Sequence, residues 1–89
     1  MIEKTVILKN RLGLHARAAS HFVKLAKKFN SSISIIKDGV EINGKSILGI
    51  LTLAANRGAE LILKIDGNDE KEAMNSLENL IENKFGEEE

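Results

Sequence analysis

Apolar and polar residues alternate along four stretches of the chain and recur at helical spacing along three others. Ile2, Val6 and Leu8 alternate with Glu3, Thr5 and Lys9, the pattern of a strand with one buried face. A turn follows at Asn10–Gly13. From Ala16 to Phe29 the period lengthens. Ala18, Phe22, Leu25, Ala26 and Phe29 share one stripe, with Lys24, Lys27 and Lys28 outside it, which predicts an amphipathic helix. Ser32–Lys37 reads as a second strand with Ile33 and Ile35 on one face. Asp38-Gly39 signals a hairpin, because both central residues of a type I′ turn need positive φ. Val40–Ile42 returns as the third strand and Asn43-Gly44 ends it. Ser46 is placed to cap a short apolar helix running to about Leu53. After a loop at Asn56–Gly58, Glu60–Asp66 forms the fourth strand, with Leu61, Leu63 and Ile65 inward. Asp69 and Glu72 predict an acidic capping box that opens a helix through Lys84, with Ala73, Leu77, Leu80 and Ile81 as its core stripe. Gly86 suits the C-terminal cap, and the three final glutamates are expected to fray.

The order β-α-β-β-α-β-α predicts an α+β open-faced sandwich: a four-stranded antiparallel sheet covered on one face by three helices. No repeat, linker or low-complexity stretch interrupts it, and residues 1–89 read as one domain, as expected for 89 residues. There is no Cys, which excludes disulfides, zinc-thiolate sites and cysteine nucleophiles. No apolar run approaches a membrane span and no basic-then-apolar leader opens the chain, so a cytoplasmic protein without membrane insertion is expected. The formal net charge is zero, but it is divided. Residues 1–64 carry 11 Lys+Arg against 4 Asp+Glu, a balance of +7, and residues 65–89 carry 2 against 9, or −7. A basic body of this kind attracts phosphates or acidic proteins.

Candidate chemistry centres on His15. The other histidine, His21, lies six residues on, roughly 120° around a helix, so the two do not form a metal pair. No third ligand joins either, and no metal or cofactor is expected. His21 reads as a partly exposed filler. His15 stands between a turn and the first helical turn, where backbone N–H groups have no intrahelical partner. A phosphate on its imidazole would meet the N–H groups of Ala16 and Arg17 and the positive end of the helix dipole, and the Arg17 guanidinium would add donors. The same dipole favours a neutral ring with a free nucleophilic nitrogen. The residues leave a second reading open, in which His15 only caps the helix. No carboxylate lies next to it in sequence to act as a base, which suits phosphoryl transfer between nucleophiles better than hydrolysis.

Asn10-Arg11-Leu12-Gly13-Leu14-His15-Ala16-Arg17 resembles the active-site signature of the HPr family, phosphocarriers of the bacterial phosphoenolpyruvate–sugar phosphotransferase system. Asn43-Gly44-Lys45-Ser46-Ile47-Leu48-Gly49-Ile50-Leu51 resembles the family's regulatory-serine segment. The resemblance covers essentially the whole chain. It implies that His15 accepts a phosphoryl group on Nδ1 from phosphorylated Enzyme I and donates it to a IIA domain or protein, with Arg17 stabilising the phosphohistidine. It further implies regulatory phosphorylation of Ser46 by an HPr kinase/phosphorylase, where the host has one, and contacts with transcriptional regulators. Ile47, Leu48 and Leu51 would form an apolar docking patch with Lys24 and Lys27 beside it, and the protein would be a monomeric stoichiometric carrier, not an enzyme. The family usually has proline after the arginine. This chain has Ala18 there and no proline at all, a change that bears on local rigidity and leaves nucleophile and arginine in place.

Ser46 has a plainer reading as a helix N-cap. A phosphate there would suit the helix dipole and add negative charge to a surface suited to acidic partners. Gly39-Val40-Glu41-Ile42-Asn43-Gly44-Lys45-Ser46 also matches the GxxxxGKS expression of nucleotide-binding P-loops. Its first glycine belongs to a hairpin, however, and Val40-Glu41-Ile42 alternates like a strand. Two other classes are weighed. A ferredoxin-like small-ligand regulatory domain would share the element order but leaves His15 and Arg17 unexplained. A nucleic-acid-binding module would use the basic first helix, but the chain has three Phe and no Tyr or Trp for stacking, so no nucleic acid partner is expected.

Overall fold

The computed structural model describes residues 1–87. Each alternating stretch is a strand: β1 (Ile2–Ile7), β2 (Ser32–Lys37), β3 (Val40–Asn43) and β4 (Glu60–Asp66). The helices are α1 (Ala16–Ala26), α2 (Ile47–Thr52) and α3 (Glu70–Glu82), followed by a 3₁₀ turn at Lys84–Gly86. The strands lie in the order β1-β4-β2-β3, and every neighbouring pair is antiparallel. Register follows the apolar pattern, because a one-residue slip would turn every side chain to the wrong face. Val6 stands opposite Leu61, Ile33 opposite Ile65, and Ile35 opposite both Leu63 and Ile42. These residues meet Ala18 and Phe22 of α1, Ile50 of α2, and Leu77 and Ile81 of α3 in one core. The other face keeps Thr5, Ser34, Ile62 and Lys64 outside that core. The fold is the expected open-faced sandwich.

The hairpin after β2 has Asp38 at φ +52 and Gly39 at φ +83, the two positive angles that the Asp-Gly pair predicts. The sequence GVEINGKS therefore contributes a turn and a strand, not a phosphate loop. Ser46 caps α2, its Oγ accepting from the Gly49 N–H at 3.0 Å.

Three helix ends differ from expectation. Helix α1 stops at Ala26, not Phe29, because the N–H groups of Lys28 and Phe29 bond the carbonyls three residues back and tighten the chain into a turn. The capping box at Asp69 does not form. Asp69 precedes α3 without a side-chain cap, and its carboxylate instead accepts from the N–H of Asn30 (2.8 Å), the N–H of Ser31 (3.0 Å) and the Ser31 hydroxyl. Helix α3 ends at Glu82, two residues before Lys84. Lys84 and Phe85 both take φ +56, ahead of Gly86 at φ +80, and this reversal buries the Phe85 ring in the core. Burial of a large aromatic ring compensates for the left-handed backbone. It also turns the following residue back toward the start of α1, so Glu87 does not fray. Glu88 and Glu89, expected to fray with it, lie outside the described residues.

Candidate functional site

The turn before α1 is seated against a neighbouring segment. Gly13 has φ +66, and a Cβ on it would lie 2.4 Å from the Ala55 carbonyl oxygen. The next N–H, of Leu14, donates to that same carbonyl at 2.9 Å, and the Leu14 side chain is buried. This anchor presents His15 as the N-cap of α1, with extended backbone (φ −80, ψ 177). His15 does cap the helix: its Nδ1 accepts from the Arg17 N–H at 3.3 Å. The long distance and the single donor make this a weak cap that a better acceptor at the same place would replace.

The other ring nitrogen meets the end of the chain. His15 Nε2 lies 2.6 Å from Glu87 Oε2, across 72 positions of sequence. The side chains are 25% and 18% exposed, so the pair is largely shielded without being sealed off. The second Glu87 oxygen, Oε1, accepts from Asn10 Nδ2 at 3.2 Å, and the same amide donates to the Gly13 carbonyl at 2.8 Å. Asn10 is fully buried. Burial pushes the Glu87 carboxyl up, but the hydrogen bonds from His15 and Asn10, with the positive charge of Arg17 nearby, outweigh it and hold the group below the usual carboxylate range.

These contacts assign the tautomer. An ionised carboxylate only accepts, so Nε2 carries the proton. The Arg17 N–H only donates, so Nδ1 presents its lone pair. The carboxylate that no neighbouring residue supplied is therefore present, brought from the far end of the sequence. Neither Glu87 nor the role of Asn10 was marked by the pattern. Asn10 read only as a turn residue, and Glu87 as one of three glutamates in a row.

His15 and Arg17 share an open hollow of about 240 Å³ with Arg11, Leu12 and Glu87. A second hollow of about 470 Å³ brings His21 beside Arg17, Phe85, Gly86 and Glu87, and His21 makes no bond to His15. Ala16 occupies the first helical position and is exposed. Among the described residues no three His, Cys, Asp or Glu side chains gather as a metal-ligand set.

Comparison with known proteins identifies the family to which a chain with this fold and this helix start belongs. The family described as "PTS HPr component phosphorylation site" matches residues 2–83. The chain belongs to the HPr family. The phosphocarrier protein HPr of Treponema pallidum is 44% identical over 88 residues, covering 99% of this chain and all of the relative. The solved HPr of Thermoanaerobacter tengcongensis matches both chains in full, with 48% identity and a TM-score of 0.96. A dimeric form of that organism's HPr superposes with a TM-score of 0.79 at 48% identity, covering 98% of this chain and all of the other. Membership of the HPr family makes this chain a phosphocarrier of the phosphotransferase system, and the small-ligand and nucleic-acid readings give way to it.

The residues of the second HPr-like segment lie on and around α2, which packs beside α1. Leu48 is 76% exposed and Ile47 40%, while Leu51 is half-buried against the core. Lys24 and Lys27 are exposed on and just after α1. Lys45 donates from Nζ to the Phe29 carbonyl at 2.7 Å, tying the loop before Ser46 to the turn after α1.

Proposed function

We propose that His15 Nδ1 is the phosphoryl acceptor and donor of this carrier, and that Arg17 and the N–H groups of Ala16 and Arg17 hold the transferred group. The observation that carries this reading is the pair of contacts on the His15 ring. A proton is held on Nε2 by Glu87, and a lone pair on Nδ1 faces the helix N-terminus. The Nδ1 lone pair forms the new N–P bond as the N–P bond of phosphorylated Enzyme I breaks, and the leaving electron pair returns to that protein's nitrogen. The reverse exchange delivers the group to a IIA domain or protein. Little covalent work falls to the surroundings, so positioning and charge supply most of the rate. The protein acts as a cytoplasmic, monomeric, stoichiometric carrier of one domain, 1–89, and needs no metal or cofactor of its own.

Ile47, Leu48 and Leu51 form the apolar centre of the docking surface, and Lys24 and Lys27 steer acidic partners to it. Ser46 is the regulatory site. Its Oγ already faces the Gly49 N–H, so a phosphate would sit comfortably at the start of α2 while placing negative charge beside Ile47. HPr kinase/phosphorylase would be the modifying partner and transcriptional regulators the readers. The test is incubation with Enzyme I and phosphoenolpyruvate, followed by mass and acid lability. One acid-labile phosphoryl group is expected on the native chain and none on His15→Ala. An adduct that persists in His15→Ala would place the chemistry elsewhere.

A further inference from the structure

We infer that Glu87, held by Asn10, is a positioning residue for phosphoryl transfer at His15: it fixes the Nε2–H tautomer of the free ring and supplies the counter-charge to the phosphorylated one. This rests on the reading of His15 as the phosphoryl acceptor. Three observations carry it. The Glu87 carboxylate meets Nε2 at 2.6 Å and not Nδ1, leaving the nucleophilic edge open. Its second oxygen is held by the buried Asn10 amide, and that amide is itself held by the Gly13 carbonyl. The segment bearing Glu87 is anchored by the buried Phe85 ring two residues earlier. A carboxylate fastened at both oxygens and at its backbone keeps its place through a reaction cycle in a way that a free terminal side chain does not.

The chemistry assigns a task to each stage. A neutral imidazole exchanges between two tautomers, and only the Nε2–H form has its lone pair on Nδ1. A carboxylate accepting from Nε2–H selects that form, as an acidic partner orients the imidazole in a hydrolase triad or a metal site. When Nδ1 attacks phosphorus its lone pair becomes the N–P bond and the ring gains positive charge, while the Nε2 proton stays. Glu87 lies where that charge develops, fixed in advance. In the return step the N–P electron pair goes back to Nδ1. Because Nε2 kept its proton, the ring departs as neutral imidazole and not as the far more basic imidazolate. One carboxylate thus serves acceptance and donation alike, and no proton leaves the ring in either direction.

Glu87→Ala, Glu87→Gln and Asn10→Ala separate these tasks. Nitrogen-15 spectra of the imidazole, recorded on the isolated protein at alkaline pH above the ordinary imidazole range, report the tautomer without any partner. The native chain is expected to show a protonated Nε2 and an unprotonated Nδ1. Glu87→Gln retains an acceptor and should keep that pattern. Glu87→Ala should move both signals toward the exchange average of free imidazole. Rapid-quench transfer from phosphorylated Enzyme I should slow about tenfold at saturating carrier in Glu87→Ala, the loss expected for a largely shielded charge-assisted hydrogen bond. Glu87→Gln should fall between the two, and Asn10→Ala should follow Glu87→Ala less steeply. Native-like nitrogen signals and a rate within twofold in Glu87→Ala would overturn the inference. So would a loss confined to KM, which would make Glu87 a docking residue. A native chain that accepts no phosphoryl group would sink the carrier reading itself, a failure that the imidazole spectra would distinguish because they need no Enzyme I.

Discussion

Gly13 shows how much the site depends on single residues. Its positive φ alone would tolerate another residue at a cost of about 1 kcal/mol. The 2.4 Å approach to the Ala55 carbonyl is different, because a backbone atom cannot swing away. Gly13→Ala is expected to destabilise the fold by about 2–3 kcal/mol, combining left-handed strain with overpacking. Gly58→Ala, also at positive φ (+88) but with nothing within 4 Å, should cost only the backbone part. Urea midpoints of the two variants provide the comparison, and equal losses would show that close approach is not what Gly13 supplies. Asn10 is constrained in another way. Its amide nitrogen has two acceptors, whereas its Oδ1 is buried with no hydrogen-bond partner among the described residues. A side chain that leaves one buried oxygen unpaired contributes less stability than a fully bonded one. Holding Glu87 in place accounts for its presence there better than stability does.

At the scale of elements, alternation made the strands legible. β2 and β4 have the boundaries read from the sequence, because period-two burial and turn residues both mark them. Helix ends were less legible, since they depend on partners distant in sequence. Asp69 has the composition of a capping residue, yet its carboxylate is taken by Asn30 and Ser31, which lead into β2. No local pattern announces a partner nearly forty residues away. The same holds at the site. The motifs mark His15, Arg17 and Ser46 as candidates, and the structure places each at a helix start, whereas Glu87 reaches His15 only because Lys84 and Phe85 reverse the chain.

The Asp69 clamp has a measurable signature. Its hydrogen bond from the Ser31 hydroxyl, then that from the Asn30 N–H, holds its carboxyl below the ordinary value of 3.8. A carboxylate with a lowered native pKa contributes stability that is complete above its unfolded value and disappears as pH falls through the native one. Thermal midpoints should therefore decline as pH drops below 3.8, with Asp69 a contributor. Asp69→Asn should lower the midpoint at neutral pH and flatten that acid decline. A variant with the native chain's full acid dependence would show that the clamp does not titrate with folding.

The whole molecule divides its charge in space as it does in sequence. Helix α3 turns part of its acidity toward β1 and the segment after it, where Lys4 meets Glu78 at 3.1 Å and Lys9 meets Glu82 at 2.6 Å. Among the described residues, Arg17, Lys24, Lys27 and Lys28 take part in no ion pair. The acidic helix thus neutralises basic residues away from α1 and leaves those on and beside α1 available to a partner. Surface charges that steer encounter are screened by salt. The second-order rate of phosphoryl acceptance from Enzyme I is expected to fall severalfold between about 50 and 500 mM salt, with a shallower slope in Lys24→Glu and Lys27→Glu. Stopped-flow or quench measurements across salt concentrations decide this. A rate indifferent to salt would remove steering from the account.

The contact between His15 and Glu87 also gives the chain a history. Proteins are made from the N-terminus, so His15 leaves the ribosome long before Glu87 has been added. Until then its imidazole has no carboxylate to choose between its two nitrogens. On the reading that Glu87 positions His15, the carrier reaches its full transfer rate only after its last helix has closed and the Phe85 turn has docked, which makes phosphoryl readiness a property of the finished molecule.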